Sequence, residues 1–308
     1  MPQLTTRNEP SPKNLLYYWT GLAVLVLNKI RHTLQGYTTP RTFPIEQIQR
    51  AIDYDFSVVD HWLEIYREYT GQSSDLKGKT ILELGPGADL GIGLTTLWKG
   101  ARKYNSLDVH NLVESVPDQF YESLFQAMDN RQEQGAVTIT ELRNQLNLTR
   151  AGKNEKLNYV CRSDFDIRAF KNEGVDLVFS QAAFEHFDDI DRAFAQLSET
   201  VKSGAVLVAE IDLNTHTRWL RDVDPLNIYR YCDTTYKLFK FRGSPNRLRP
   251  NQYKSTLEKY GWDDVRILPL TKVNNGYLSK VKGKLNPRFR EPDSQIEFVS
   301  VMLCASKR

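Results

Sequence analysis

The chain has 308 residues, 40% of them hydrophobic and 26% charged, with a formal net charge of +3. This composition is typical of a globular protein and argues against a disordered, collagen-like or polytopic membrane chain. The balanced charge also argues against a surface that coats nucleic acid. The three cysteines, Cys161, Cys232 and Cys304, are far apart and form no CxxC pair. We therefore expect reduced thiols in a cytoplasmic protein, with no disulfide framework and no metal site.

An apolar run at residues 15–27 stands out near the start of the chain. The run is about 13 residues long, whereas a membrane-spanning helix needs roughly 20 apolar residues. It is also not followed by the small-residue cleavage site of a signal peptide. One interpretation is a buried helix of the fold. The alternative is a peripheral membrane contact through residues 15–31, with Tyr17, Tyr18 and Trp19 at headgroup depth, and a true span is the least favoured.

The residues up to position 76 are predicted to form an N-terminal helical extension. Residues 1–12 are polar, contain two prolines and are predicted to be loose. From residue 14 to residue 70, apolar side chains recur at helical spacing. The polar stretch 71–78 marks a boundary, so we divide the chain into an extension, 1–76, and a main domain, 77–308.

A regular alternation of strand-length and helical segments begins after this boundary. We predict helices at residues 90–98, 190–201 and 252–260, and either Asp188 or Asp189 caps the second. Strands alternating with helices imply an α/β fold with a doubly wound, mostly parallel sheet that is covered on both faces. The predicted strands are 80–84, 104–109, 159–162, 175–180, 205–211, 265–270 and 296–305.

Three segments are longer than the connections of such a fold require. They are residues 110–158, 214–251 and 272–293, and the last is rich in lysine and arginine. Ligands of an open α/β sheet bind beyond the carboxyl ends of the strands, and the first two segments leave from such ends. We therefore expect these two to provide walls of a substrate pocket. The basic segment is either a solvated insertion or a contact for an anionic lipid or substrate.

The strongest chemical signal is a glycine-rich turn between the first predicted strand and helix of the main domain, Glu83-Leu84-Gly85-Pro86-Gly87. Gly85 and Gly87 permit a tight turn and the close approach of a ligand, which is typical of a nucleotide-like cofactor site. A dinucleotide fingerprint would need glycine at position 90, where Leu90 stands, so NAD and FAD are disfavoured. Asp108 lies about 20 residues after Gly87, the offset of a ribose-binding acid, and Glu83 can face a cationic group of the same ligand.

These motifs resemble those of the class I S-adenosylmethionine-dependent methyltransferases, in the same order from about residue 77 onwards. The glycine-rich turn is similar to their first motif, and Val175-Asp176-Leu177-Val178-Phe179-Ser180, followed by Glu185-His186, is similar to their fourth-strand motif. Ser163-Asp164-Phe165 resembles their adenine-contacting segment. Lys202-Ser203-Gly204-Ala205 resembles the turn before their fifth strand. Asp89 departs from the pattern, since many members have a third glycine there, and Ser203 replaces the usual proline.

The resemblance implies a Rossmann-like sheet of seven strands, the last of them antiparallel, that binds S-adenosyl-L-methionine. It implies that Asp108 holds the ribose and that Asp164 contacts the adenine amino group. The cofactor contacts implied in this way are Glu83, Gly85, Pro86, Gly87, Asp108, Val109, Asp164, Phe165, Ser180 and Gln181. The later part also resembles a bacterial group of such enzymes found with cell-surface polysaccharide genes, through Ile211-Asp212, His216, Asn246-Arg247-Leu248-Arg249, Tyr253 and Gly261-Trp262.

Three residues are candidates for the chemistry of methyl transfer, which needs orientation and, for an oxygen or nitrogen acceptor, a base. His186 follows the strand 175–180, while Asp212 and His216 follow the strand 205–211 at the rim of the expected pocket. For each of them the alternative is a structural or solvated side chain. Arg247 and Arg249 either clamp a carboxylate or phosphate of the substrate or belong to a solvated loop.

The sequence therefore predicts a methyltransferase that uses S-adenosylmethionine and acts on an oxygen or nitrogen of a small-molecule or glycan-type acceptor. Nucleic acid is not an expected partner. Enzymes that methylate amino groups of bases carry a D/N/S-P-P-Y/F/W sequence after the fourth strand, where this chain has Ser180-Gln181-Ala182-Ala183. A non-catalytic protein that binds S-adenosylmethionine or a nucleotide is the first alternative, and an NAD-dependent oxidoreductase is the second.

Overall fold

The computed structural model describes residues 3–35, 44–131, 133 and 135–308. Its centre is a single eight-stranded sheet. The strands are β1 (Thr5–Thr6), β2 (Thr80–Leu84), β3 (Lys103–Asp108), β4 (Leu157–Cys161), β5 (Val175–Gln181), β6 (Val201–Asp212), β7 (Trp262–Lys272) and β8 (Phe298–Lys307).

The sheet has the order β1-β7-β8-β6-β5-β2-β3-β4. The strands from β6 to β4 pair in parallel, whereas β8 is antiparallel to both of its neighbours, β6 and β7. All five residues of β2 are buried, as expected of a parallel strand covered on both faces. The predicted α/β class is therefore confirmed, with a doubly wound, mostly parallel Rossmann-like sheet and an antiparallel last strand.

The sheet has one strand more than the seven expected, because the chain's first described residues extend its edge. Thr5 and Thr6 pair in parallel with Thr271 and Lys272, and the amide of Arg7 donates to the Lys272 carbonyl at 2.9 Å. Without β1, this edge of β7 would present unpaired backbone groups. The prediction that residues 1–12 are loose is therefore wrong for the part described, while Met1 and Pro2 lie outside the described residues.

Helices cover the sheet on both faces, as predicted. The second predicted helix begins after Asp189, whose side chain accepts a hydrogen bond from the Arg192 amide at 2.9 Å, so the expected cap is confirmed. The helices are α1 (Asn14–Gln35), α2 (Ile48–Thr70), α3 (Gly91–Trp98), α4 (Asp118–Asp129), α5 (Ile139–Arg150), α6 (Ile190–Thr200), α7 (Arg218–Val223), α8 (Asp233–Phe239), α9 (Pro250–Lys259) and α10 (Asn275–Val281).

One face of the sheet carries α2, α3, α4 and α5, and the other carries α6 and α9. The alternation of strand side chains explains this arrangement, because Ile81 of β2 belongs to the first core and Leu82 to the second. Trp62 of α2 is buried in the same core as the strands. Helix α2 is therefore an integral layer of the fold. The division of the chain at residue 76 stays a prediction from the sequence.

A third apolar cluster lies beyond the end of β6. It joins the turn Asn227–Arg230, α8, α10 and the start of β8, and Tyr18, Leu22 and Leu25 of α1 pack against it. Helix α1 is therefore bound to the fold along one face, while much of its opposite face is exposed. Among the residues described, no helix has the length and apolar character needed to span a bilayer.

Candidate functional site

A cavity of about 980 Å³ opens beyond the carboxyl ends of β2, β3 and β5. The chain runs from β2 to β3 on one side and returns to β5 on the other, so the order of strands reverses at β2. Such a reversal leaves a crevice that binds ligands in open α/β sheets. Gly85 fits this crevice without a side chain, because a Cβ there would lie 2.6 Å from the Cβ of Ala183.

The predicted glycine-rich turn and ribose acid line this cavity together. Gly85 and Gly87 have φ angles of 78° and 81°, in the left-handed region that favours glycine. Asp108 ends β3, and its Oδ1 accepts hydrogen bonds from the amides of Val109 at 2.6 Å and His110 at 3.0 Å. These bonds fix the orientation of the carboxyl group beside the turn. Apart from its two chain neighbours, no described residue has an atom within 4 Å of the Cβ position of Gly87, so the backbone there is open to a ligand.

Most of the predicted cofactor contacts reach the cavity. Gln181 is held in place by Trp62 of α2, whose Nε1 donates to Gln181 Oε1 at 3.1 Å, and by Glu210, which accepts from Gln181 Nε2 at 2.7 Å. The predicted residues that line the cavity are Gly85, Gly87, Asp108, Val109, Asp164, Phe165 and Gln181. Three others, Glu83, Pro86 and Ser180, are not among the lining residues, and the Ser180 hydroxyl donates to the Leu84 carbonyl at 2.9 Å.

Asp164, the predicted adenine contact, lies at the cavity's edge in a bidentate pair with Arg162, at 2.9 and 2.8 Å. This pairing lowers the pKa of Asp164 to about 2, so the carboxylate is ionised at neutral pH. Phe165 follows with a φ of 47°, and its ring meets Phe187 edge-on at 4.7 Å. The pair forms an aromatic wall on which a planar base could stack.

Asp89, which stands where the family resemblance would place glycine, has a structural role. Its Oδ1 accepts a hydrogen bond from the Gly91 amide at 2.8 Å, at the start of α3. Burial raises the pKa of Asp89 to about 6. Burial and the facing Asp89 raise the pKa of Asp55, on α2, well above its usual range. The carboxyl pair therefore joins α2 to the segment that follows the glycine-rich turn.

Glu83, which we expected to face a cationic group of the ligand, is buried beneath the turn. Its Oε2 accepts a hydrogen bond from the Tyr104 hydroxyl, and burial raises its pKa to about 8 despite that bond. A carboxyl group with a raised pKa stabilises the fold while it is protonated. Its contribution is complete below the ordinary pKa of 4.5 and is lost as the pH rises through about 8.

We therefore expect Glu83→Gln to reduce the loss of stability between pH 5 and pH 9. The amide keeps an acceptor for Tyr104 and cannot ionise. Thermal unfolding across this pH range measures the effect, and the exposed Glu64→Gln is the matched control. A melting temperature that falls as steeply in Glu83→Gln as in the unaltered chain would show that ionisation of Glu83 does not cause the loss.

The predicted catalytic histidines meet on the cavity wall. His186 and His216 both line the cavity, and their rings meet edge-on at 4.8 Å. Each ring is held by a backbone carbonyl: His186 Nδ1 lies 2.7 Å from the Gly243 oxygen, and His216 Nδ1 lies 2.9 Å from the Asn214 oxygen. Because a carbonyl only accepts, each Nδ1 must carry the proton. In the neutral rings, Nε2 is therefore the free base.

Glu185 completes this cluster and was not predicted as a site residue. It is 2% exposed, and neither of its carboxylate oxygens accepts a hydrogen bond from the residues that the structure describes. Its Oε1 lies 3.9 Å from His216 Nε2. Burial raises the pKa of Glu185 to about 7. Burial alone would lower the pKa of His216, but the carboxylates of Glu185 and Asp212 outweigh that effect and raise it.

The pKa of His186 moves in the opposite direction. Burial, with repulsion from His216, lowers it to about 4, so His186 is neutral over the physiological range.

Asp212, the third predicted catalytic residue, does not line the cavity. It accepts from Arg221 Nη2 at 2.6 Å and from the Asn214 amide at 2.9 Å. Asp212 thus fixes the loop that carries His216.

The spacing of Glu185, His186 and His216 can be compared with that of a metal site. The nearest ligand atoms of Glu185, His186 and His216 lie within 4.8 Å of one another. A tetrahedral zinc site with bonds of about 2.0 Å would hold its ligands roughly 3.3 Å apart. The 3.9 Å between Glu185 Oε1 and His216 Nε2 exceeds this separation. The spacing therefore suits an acid–base pair with room between the two groups better than a formed metal site.

The two arginines expected to bind substrate belong to the core instead. Arg249 is 1% exposed and donates to the carbonyls of Ser294, Gln295 and Phe298. Arg247 is also buried and donates to two backbone carbonyls and to Asp233. Neither lines the cavity, because both guanidinium groups are committed to cross-linking the segments around the third apolar cluster.

The cavity's remaining walls come from α1, from the start of α6 with the residues before it, and from residues 214–251. The second long segment therefore forms the expected pocket wall. Among the described residues of the first segment, 110–158, only His110 lines the cavity, because its helices α4 and α5 pack on the sheet. No residue of 272–293 lines the cavity. The lining residues that the sequence did not reveal include Val24, Leu25, Asn28, Arg31, Trp219, Phe241 and Arg242.

Comparisons with known proteins identify a family for part of the chain. Residues 124–209 match a family model described as a methyltransferase domain, which includes β4, β5 and the Glu185-His186 pair. No curated protein matches the chain significantly. Solved structures with a similar fold include phosphoethanolamine N-methyltransferase 2 of Haemonchus contortus, at 13% identity, covering 80% of this chain and 52% of that one, with a TM-score of 0.43.

A SAM-dependent methyltransferase from Archaeoglobus fulgidus is similar at 15% identity, covering 82% of this chain and 94% of that one, with a TM-score of 0.43. Neither likeness assigns a function to this chain, whose function follows from the family match and from its own residues. The matched domain, the ordered motifs and the glycine-lined crevice beside Asp108 lead to one conclusion. The chain is an S-adenosylmethionine-dependent methyltransferase.

Proposed function

We propose that the enzyme methylates an oxygen or nitrogen atom of a small-molecule or glycan-type acceptor, with His216 as the general base. The observation that carries this proposal is the pairing of His216 with the buried Glu185 on the wall of the cavity that the cofactor turn also lines. Bound at that turn, S-adenosylmethionine supplies a methyl group activated by its sulfonium. The residues that would hold it are Gly85, Gly87, Asp108, Val109, Asp164, Phe165 and Gln181.

The chain's own residues account for the acceptor's proton. The Asn214 carbonyl fixes the Nδ1–H tautomer of neutral His216, so Nε2 can take a proton from an acceptor hydroxyl or amine. The imidazolium formed is then stabilised by Glu185, whose oxygens accept no other hydrogen bond within the described part of the chain. His186 stays neutral and its Nε2 can accept a hydrogen bond, so it is suited to orient the acceptor rather than to receive its proton.

The chemical character of the cavity supports a polar acceptor. Asn28, Arg31, Arg192, Thr217 and Arg242 line the cavity and carry hydrogen-bond donors. Such a lining suits a polyhydroxylated molecule, which needs many hydrogen-bond partners to leave water. The resemblance of the segment after β6 to enzymes found with polysaccharide genes favours the same class. We therefore infer a sugar hydroxyl as the most favoured acceptor group.

The experiment that tests the acceptor class uses methyl-labelled S-adenosylmethionine. The purified enzyme is incubated with extracts separated into glycan, small-molecule, protein and nucleic-acid fractions. We expect label in the glycan or small-molecule fraction, with none when Asp108→Ala replaces the unaltered enzyme. Label confined to the protein or nucleic-acid fraction would contradict the proposed acceptor. Cofactor binding with no label in any fraction would contradict catalysis on these acceptors.

A further inference from the structure

The outward face of α1 is a continuous apolar stripe. At 100° per residue, the exposed apolar side chains of this helix fall within a sector about 120° wide. Six of the eleven large hydrophobic side chains that are exposed in the described part of the chain lie on α1. The stripe consists of Leu15, Leu16, Trp19, Ala23, Leu27, Ile30 and Leu34. Contiguous exposed apolar surface of this kind marks a docking site.

The inward face shows that α1 is held in this orientation. A Cβ at Gly21 would lie 2.1 Å from Asn227 Oδ1, so the helix backbone is in close contact with the fold. Asn227 Nδ2 donates to the Tyr17 carbonyl at 2.8 Å, and the Tyr231 hydroxyl donates to the Tyr18 carbonyl at 3.0 Å. Rotation of α1 to bury its apolar stripe would break these contacts. The stripe is therefore a fixed feature of the surface.

The charges around the stripe indicate what covers it. Helix α1 contains no aspartate or glutamate. Arg31 lies along one edge of the stripe and Lys29 along the other, while Lys13 immediately precedes the helix. Cationic residues beside an apolar face, with a tryptophan within it, are the pattern of helices that lie in the interface of anionic bilayers. A partner protein with an acidic rim would meet the cations equally well, but would not need a stripe that runs nearly the whole length of a 22-residue helix.

We propose that α1 docks the enzyme on an anionic lipid surface, lying in the plane of the interface with its stripe in the headgroup and acyl boundary. The opposite side of the same helix lines the cavity through Val24, Leu25 and Asn28. Docking therefore brings the cavity to the membrane, where an acceptor carried on a lipid would be within reach. The docking step itself does not depend on the proposed transfer chemistry.

The test is sedimentation of the full chain with vesicles, with neither cofactor nor acceptor present. We expect the protein to pellet with vesicles of equal phosphatidylglycerol and phosphatidylcholine, and at least tenfold less with phosphatidylcholine alone. Trp19→Glu combined with Leu27→Glu is expected to lower binding to the anionic vesicles at least tenfold. The matched control is Ile45→Glu, at an exposed apolar residue outside α1, which is expected to bind normally.

Binding of S-adenosylhomocysteine by the double variant shows that it is folded, since neither changed side chain lines the cavity. The proposal is overturned if the unaltered protein stays in the supernatant with anionic vesicles, or if the double variant pellets with them as well as the unaltered protein does. It is overturned too if the unaltered protein binds neutral and anionic vesicles equally well. It is also overturned if ultracentrifugation shows a dimer that the double variant abolishes, because a second copy would then cover the stripe. None of these outcomes bears on the transfer of label, which is measured separately.

Discussion

Asp108→Ala should abolish measurable binding of S-adenosylhomocysteine while leaving the chain folded. An ionised carboxylate that accepts bonds from a ribose diol contributes about 1.5–3 kcal/mol per bond, so the loss of two corresponds to at least about a hundredfold in affinity. Asp108 is at the rim of the crevice, where its Oδ1 also accepts from the Val109 and His110 amides. Titration calorimetry measures the loss, and circular dichroism with thermal unfolding checks the fold.

Asp108→Asn is the matched control for this variant. Its amide oxygen still accepts from the two backbone amides, so the loop keeps its conformation while the charge is removed. We expect an affinity between those of the unaltered chain and Asp108→Ala. Equal affinity in all three proteins would mean that the ribose is held elsewhere and that the offset between Gly87 and Asp108 was misinterpreted.

His216→Gln should lower kcat by about a thousandfold, within the 10²–10⁴ range of general base catalysis, with unchanged affinity for S-adenosylhomocysteine. Glutamine keeps a polar group on the cavity wall but cannot take a proton from the acceptor. The measurement is the rate of label transfer to the acceptor that the fractionation identifies. A kcat within threefold of the unaltered enzyme would exclude His216 as the base.

The pH profile distinguishes a base from a side chain that only orients the acceptor. The base must be unprotonated, and the neighbouring carboxylates raise the pKa of His216 above 6.5. We therefore expect kcat to rise with pH, with its midpoint above 6.5. Glu185→Gln removes a carboxylate that raises this pKa, so the midpoint should move to lower pH. An unchanged midpoint in Glu185→Gln would show that Glu185 does not act through His216.

Much of the fold could be predicted because its signals are local. The strand-length apolar runs, the glycine-rich turn and the acid at the end of the second strand depend on residues close together in the chain. The edge strand β1 could not be predicted, because Thr5 and Thr6 have no apolar pattern and become a strand only through the edge of β7. Their extended conformation depends on pairing with Thr271 and Lys272, which are distant in the chain.

The cluster on the cavity wall could be predicted only in part, for the same reason. Histidine is a common general base, so the sequence alone marks His186 and His216 as candidates, whereas the proposed role of Glu185 depends on its burial and on its distance from His216. For Arg247 and Arg249 the sequence suggested a binding role, but the structure places both side chains in the core. Two arginines in a short loop indicate an anion site, but a buried guanidinium can instead donate to several backbone carbonyls, and contacts with distant segments decide between these outcomes.

The most direct test of the cofactor site is a comparison of S-adenosylhomocysteine with NADH as ligands of the unaltered chain, measured by thermal shift. A ligand that binds only the folded state raises the melting temperature. The glycine-lined crevice, with Leu90 in place of the third fingerprint glycine, predicts that S-adenosylhomocysteine raises it and NADH does not. Stabilisation by NADH alone would contradict the assignment of the site and the function derived from it.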